Sequence, residues 1–174
     1  APAAAQRRRG RRRRQVGLRD RNEGIAFYNE ALMVTAGLFA DAPRSRVFVR
    51  NFSRLRSLRV LADIGLITGS MSLDDAVSFF AESVPMDTQT AFLETTMYLG
   101  NPGLALSYLV GKSELLRFAG DALRRRTVTL QSVHDRVWLN GNLPFSLHRL
   151  EFLDDRKDID LVQERRAPLS SIPE

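Results

Sequence analysis

The sequence contains no cysteine, which excludes disulfides and thiolate metal sites and fits a reducing compartment. Histidine is nearly as scarce. His134 and His148 are the only two, so the chain cannot form the His-Glu-x-x-His helix of a zinc hydrolase, and a complete zinc site is absent from it. No Gly-x-x-x-x-Gly-Lys-Ser/Thr phosphate loop and no Gly-x-Ser-x-Gly nucleophile elbow occurs. No apolar run approaches the roughly 20 residues that a membrane-spanning helix needs. Initiator methionine and the apolar core of a signal peptide are both lacking, so the expectation is a segment from inside a longer protein, with a cytoplasmic or a secreted parent both open. Lysine is rare as well: Lys112 and Lys157 are the only two among 26 basic residues, and the arginine and alanine bias suits a GC-rich bacterial genome.

What is present divides unevenly. Residues 1–22 hold nine arginines against Asp20, a charge of +8, which leaves 17 basic and 19 acidic residues, or −2, for the rest. The high isoelectric point therefore belongs to a leader, and the body is mildly acidic. Residues 1–22 have almost nothing apolar to bury and read as a disordered, low-complexity leader. The run Arg7-Arg8-Arg9-Gly10-Arg11-Arg12-Arg13-Arg14 offers non-specific phosphate binding to nucleic acid or an acidic partner, with no aromatic for base stacking. The plain alternative is an incidental tail.

From Asn22 the apolar spacing turns helical and stays so. A first helix over about 22–39 carries Ile25, Tyr28, Leu32, Met33 and Ala36. Pro43 opens a long one to Thr68, with Val47, Phe52, Leu55, Leu58, Ala62 and Leu66 inward, an arginine face of 44, 46, 50, 54 and 56 outward, and Gly69 closing it. Ser72 with Asp75 reads as a capping box, Asp87 caps the next helix, Asn101-Pro102 opens another through Leu123, and Thr129 caps one through Val137. A last amphipathic stretch ends near Leu153, and 154–174 reads as a polar tail. No strand alternation is sustained. The fold class is all-α, a multi-helix bundle over 23–153.

Several residues on this frame have chemistry to offer. Glu23 and Glu30 stand seven apart on one helix face with Phe27 between them. Tyr108 and Lys112 are four apart, a phenol beside an ammonium, able to serve a developing oxyanion. Arg59 and Asp63 have the spacing of a helix-surface ion pair. His134, beside Asp135, has no nucleophile at helical spacing. Each has a bland counterpart: a solvated acid pair, a half-buried tyrosine with a snorkelling lysine, a surface ion pair, a surface histidine.

Five strings in order resemble the C-terminal half of a bacterial family, the domain of unknown function 885. They are Glu23-Gly24-Ile25-Ala26-Phe27-Tyr28-Asn29-Glu30; Arg59-Val60-Leu61-Ala62-Asp63-Ile64-Gly65-Leu66; Thr68-Gly69-Ser70-Met71-Ser72 with Asp75-Ala76; Pro102-Gly103-Leu104 through Tyr108 to Gly111-Lys112; and Val133-His134-Asp135 with Gly141-Asn142-Leu143-Pro144. That family is all-helical and resembles zinc metallopeptidases of the gluzincin type. There a His-Glu-x-x-Pro-Gly-His helix supplies two histidine ligands and a general base. The resemblance implies Glu23 as third zinc ligand, Tyr108 as oxyanion stabiliser, Lys112 and His134 as further catalytic residues, and Glu30, Arg59 and Asp63 bracing the cleft.

The two-histidine helix belongs upstream of the Glu23 string, where this sequence has its arginine tract, and Ile25 and Ile67 replace the family's Trp and His. The expectation is thus a helical C-terminal portion of a zinc-peptidase-like protein, inactive by itself and holding no tight zinc. Its apolar helix faces would be covered by the missing N-terminal half or by another protein. The alternatives are a helical interaction module using the arginine leader, and a gene fragment without independent function.

Overall fold

The structure is a computed structural model that describes residues 2–125 and 127–164, with side chains from Arg19 onward. Among the described residues eight α-helices and no strand are found: α1 (Pro2–Thr35), α2 (Pro43–Thr68), α3 (Leu73–Ser83), α4 (Thr88–Gly100), α5 (Leu104–Leu123), α6 (Leu130–Leu139), α7 (Phe145–Leu153) and α8 (Lys157–Glu164). The all-α expectation holds. The chain divides into two compact units, 1–113 and 114–174, with α5 contributing to each.

Helix ends follow local chemistry. Ser72 Oγ accepts from the Asp75 N–H at 3.1 Å while the Asp75 carboxylate accepts from the Ser72 N–H at 3.0 Å, a full capping box. Asp87 accepts from the Thr90 N–H at 2.9 Å, and Thr129 and Ser132 cap α6 reciprocally. Gly69, at φ 73°, ends α2 in the left-handed conformation.

The first helix differs from expectation at both ends. It begins at Pro2, not Asn22; alanine and arginine are good helix formers, so the leader's backbone does not need apolar residues to be helical. The arginine side chains, and with them the nucleic-acid expectation, lie outside the described residues. At the other end α1 stops at Thr35, short of Ala40. Gly37, at φ 99°, donates its N–H to the Val34 carbonyl (3.2 Å) and Leu38 to that of Met33 (2.9 Å), the paired bonds of a Schellman motif.

The core of the first unit is built by α2, α3 and α4 with the start of α5: Leu55, Ala62, Ala76, Val77, Phe80, Val84, Ala91, Tyr98 and Ala105 are all buried. Val47 and Phe52, expected inward, are instead 56% and 52% exposed, because apolar burial on α2 begins only at Leu55.

The α1–α5 crossing is set by two glycines. A Cβ on Gly111 would lie 1.6 Å from the Asp20 carbonyl oxygen, and one on Gly24 would lie 2.2 Å from the Gly111 carbonyl carbon. Backbone there meets backbone, and no larger residue fits. This contact brings the acid-bearing face of α1 against the Tyr108 and Lys112 face of α5.

In the second unit Leu115, Phe118, Ala119, Ala122, Val133, Val137, Phe145, His148 and Leu153 are buried. Within the polar tail expected over 154–174, residues Lys157–Glu164 form α8. Buried Arg149 pairs with Asp121 and, at 2.6 Å, with Asp155, while Arg117 pairs with Asp158 at 2.8 Å. Asp155 also accepts from the Lys157 N–H at 3.1 Å, and Asp158 and Asp160 complement the α8 dipole. Residues 165–174, the rest of the expected tail, lie outside the described residues.

Candidate functional site

Six of the seven expected site residues lie in the first unit. Four of them, Glu23, Glu30, Tyr108 and Lys112, face one another across the α1–α5 crossing.

Tyr108, half-buried on α5, stands beside the Glu23 carboxylate. Burial first, then hydrogen bonding to Glu23 and its negative charge, push the phenol above its ordinary range, with Arg56 and Arg59 pulling the other way. A phenol so placed keeps its proton at neutral pH and is a hydrogen-bond donor. One turn further along α5, the Lys112 ammonium lies 4.0 Å from the centre of the Phe27 ring. Burial lowers its pKa; Glu30 opposes that shift and Arg56 adds to it.

Glu30 is held by Arg56 in a two-pronged pair, with N–O distances of 2.7 and 2.6 Å. Arg56, placed by the sequence on the solvent face of α2, turns toward α1, its guanidinium 5.6 Å from the centre of the Phe27 ring. Its neighbour Arg59 does not pair with Asp63. It makes a second fork, to Glu94 of α4, at 2.9 and 2.6 Å, and the buried Tyr98 hydroxyl donates to the same carboxylate at 3.2 Å. Tyr98 is held far above the usual phenol range, mainly by burial.

Asp63 has a different task from either the ion pair or the cleft-bracing expected of it. Completely buried, its carboxylate accepts the N–H groups of Gly103 (2.9 Å), Ala105 (2.9 Å) and Leu106 (3.3 Å), capping α5 from 40 residues away. Three backbone donors satisfy its charge, so Arg59 is released to Glu94. Asp63 thus fixes the start of the helix that carries Tyr108.

His134 belongs to the second unit, on α6, where its ring packs edge-on against Trp138 at 4.9 Å between centres.

Glu94, Tyr98 and Arg56 are the members of the cluster that sequence reasoning missed. Glu94 and Tyr98 sit at i and i+4 on α4, a spacing shared by countless surface pairs; no local signal marked them. The sum is three carboxylates, three cations and two tyrosines on four helices. Each arginine has its own carboxylate, Glu23 stands at Tyr108, and Lys112 lies over the Phe27 ring.

For zinc the test is the donor set. Glu23 is one carboxylate, and among the described residues no group of three or more His, Asp or Glu is placed to hold a metal ion. These residues therefore do not fit a resident zinc by themselves.

Among the described residues the geometry defines an all-helical protein with a half-buried tyrosine beside an acid where two helices cross. The chain belongs to a bacterial family of proteins of unknown function (DUF885), whose model matches residues 2–150. No curated protein and no solved structure matches it.

Proposed function

We propose that this chain carries the substrate-facing side of a hydrolase site of the zinc-peptidase type, and that it does not hydrolyse peptides by itself. The observation that supports this reading is Tyr108: a desolvated phenol beside Glu23, with Arg56 and Arg59 near enough to act on it electrostatically. A donor fixed in a partly dry site is what a tetrahedral oxyanion needs as charge develops on it. Glu23 is the one carboxylate there suited to be a metal ligand, and the other ligands come from outside these 174 residues. Glu30 and Arg59 hold α2 against α1 and α4, Asp63 holds α5, and all three act by position. His134 has no assigned step.

A peptide phosphinate, which mimics the tetrahedral anion, tests this without any metal. It is expected to bind the chain, and Tyr108→Phe is expected to weaken binding about tenfold, the value of one charge-assisted hydrogen bond. Equal binding by the two proteins overturns the reading. Zinc alone is expected to find no tight site; stoichiometric tight binding overturns that part.

A second reading is favoured by charge. A leader of +8 on a body of −2 supports electrostatic attachment to nucleic acid through residues 7–14.

A further inference from the structure

One helix of the second unit is held by charge rather than by burial. No residue of α8 is buried: Ile159 is half-buried, and Leu161 and Val162 are exposed. A helix of eight residues does not persist alone in water, and most short helices are fastened by an apolar face that this one does not bury. What fastens α8 is its acid. Asp158 accepts from Arg117 at 2.9 and 2.8 Å and stands 3.4 Å from Arg149 Nε, a buried atom that makes no hydrogen bond among the described residues. The pair of Arg156 with Asp160, at 3.6 Å, is local and ties α8 to no other helix.

Neither arginine depends on Asp158 for its charge. Arg149 keeps Asp121 and, at 2.6 Å, Asp155, while Arg117 keeps Glu114 at 2.9 Å. Asp155 belongs to the end of α7: its N–H donates to the Arg149 carbonyl at 3.2 Å, beside that of Asp154 on the Leu150 carbonyl at 3.0 Å. Departure of Asp158 therefore leaves no buried charge alone, which is the circumstance that makes breaking an ion pair costly. The Arg117 side chain is 46% exposed, so its pair with Asp158 is one that salt screens. Asp154 to Arg156 form the hinge. Asp154, at φ 55°, closes α7 before it, and α8 begins after it with the Lys157 N–H on the Asp155 carboxylate at 3.1 Å.

We infer that α8 is a strap latched by Asp158 on Arg117 and Arg149, which undocks and melts while α5 and α7 beneath it stay folded. Ionic strength sets the latch, because the pair that closes it is partly exposed and the pairs that remain on α5 and α7 neutralise the arginines without it. Opening frees Arg149 Nε and the Arg117 donors from Asp158, and closing returns the carboxylate to them.

Hydrogen–deuterium exchange of the whole chain, read by mass spectrometry, tests this. Fluorescence of Trp138, the only tryptophan and a residue of the same unit, checks the fold. Raising NaCl from about 50 to about 500 mM is expected to speed exchange of the α8 amides about fivefold, the effect of losing one exposed ion pair. The amides of α5 and α7 and the Trp138 emission are expected to stay unchanged. Asp158→Asn is expected to show the fast α8 exchange already at low salt and to lose the salt response. Arg117→Gln, at an exposed side chain, is expected to do the same, whereas Arg156→Gln is expected to keep the salt response. Exchange in α8 that ignores salt, that ignores both latch substitutions, or that changes only together with α5 and α7 overturns the strap. A salt response lost with Arg156→Gln would place the latch at the local pair and overturn it as well.

Discussion

At the scale of single residues, the two groups that most repay attention are Asp63 and Lys112, and they are opposite cases. Asp63 is a buried charge fully satisfied by three backbone N–H groups. Removing the carboxylate orphans donors that burial hides from water, so Asp63→Ala is expected to cost about 3 kcal/mol or more in urea unfolding. Asp63→Asn, which keeps one acceptor oxygen, is expected to cost less; equal stability of all three proteins would show the cap to be unimportant. Lys112 is a charge that burial disfavours. The groups facing it are Phe27 and Glu30 on α1 and Arg56 on α2, with Tyr108 on its own helix, and its pKa lies below the ordinary 10.5. A lowered lysine pKa means that the unfolded chain holds the proton more tightly. The cost of keeping Lys112 charged is therefore present below the folded pKa and is relieved as pH rises through it toward 10.5. NMR titration is expected to show Lys112 losing its proton below the ordinary 10.5, and Lys112→Met to flatten that part of the stability profile. A Lys112 midpoint at or above 10.5 would contradict this.

At the scale of elements, close approach of α1 and α5 makes the site. Gly111→Ala puts a methyl group into the Asp20 carbonyl, with backbone on both sides and no side chain able to give way. The helices must separate, at a cost of about 3 kcal/mol or more, and Tyr108 should then titrate closer to an ordinary phenol as it leaves Glu23. An unchanged ultraviolet titration of the tyrosines would refute the link. The caps allow a milder test. Asp75 and Asp87 are held below the usual carboxylate range by hydrogen bonds to Ser72 and Thr90. Their contribution is present above the unfolded pKa and is lost as pH falls through the folded one. Ser72→Ala is expected to lower the melting midpoint by about 2–4 °C at neutral pH and by less in acid. These caps were legible because Ser72 with Asp75, Asp87 and Thr129 announce themselves within four residues. So was α5, opened by Asn101 and Pro102. What was not legible rests on partners far along the chain. Arg59 and Asp63 look like a pair at i and i+4 until Glu94 and the start of α5 are placed beside them. Arg56 reads as one more surface arginine until Glu30 faces it, and Asp155 and Asp158 read as tail until Arg149 and Arg117 hold them. Gly24 and Gly111 carried a local spacing but no hint that they meet.

At the scale of the whole molecule the charge asymmetry is the dominant fact. Seven arginines fall within residues 7–14, while residues 23–174 carry −2. Counterion release ties the salt dependence of nucleic-acid affinity to the number of phosphates neutralised, with a slope in log K against log salt of about −0.9 per contact on duplex DNA. If all seven arginines engage, the slope is about −6, and affinity falls by more than a thousandfold between about 50 and 200 mM salt. The leader has no aromatic residue, so it has nothing on which to stack a base, and little preference between sequences is expected. Deleting residues 1–18 is the decisive comparison, because it removes all seven arginines while leaving the α1 face of Glu23, Phe27 and Glu30 in the chain. That variant is expected to lose duplex binding and to keep its affinity for the peptide phosphinate. Duplex binding with the same slope after the deletion would assign the phosphate contacts to the arginines of α2 instead. Arg44, Arg50 and Arg54 are exposed on that helix and Arg46 is half-buried, apart from the Glu30 and Glu94 forks that engage Arg56 and Arg59.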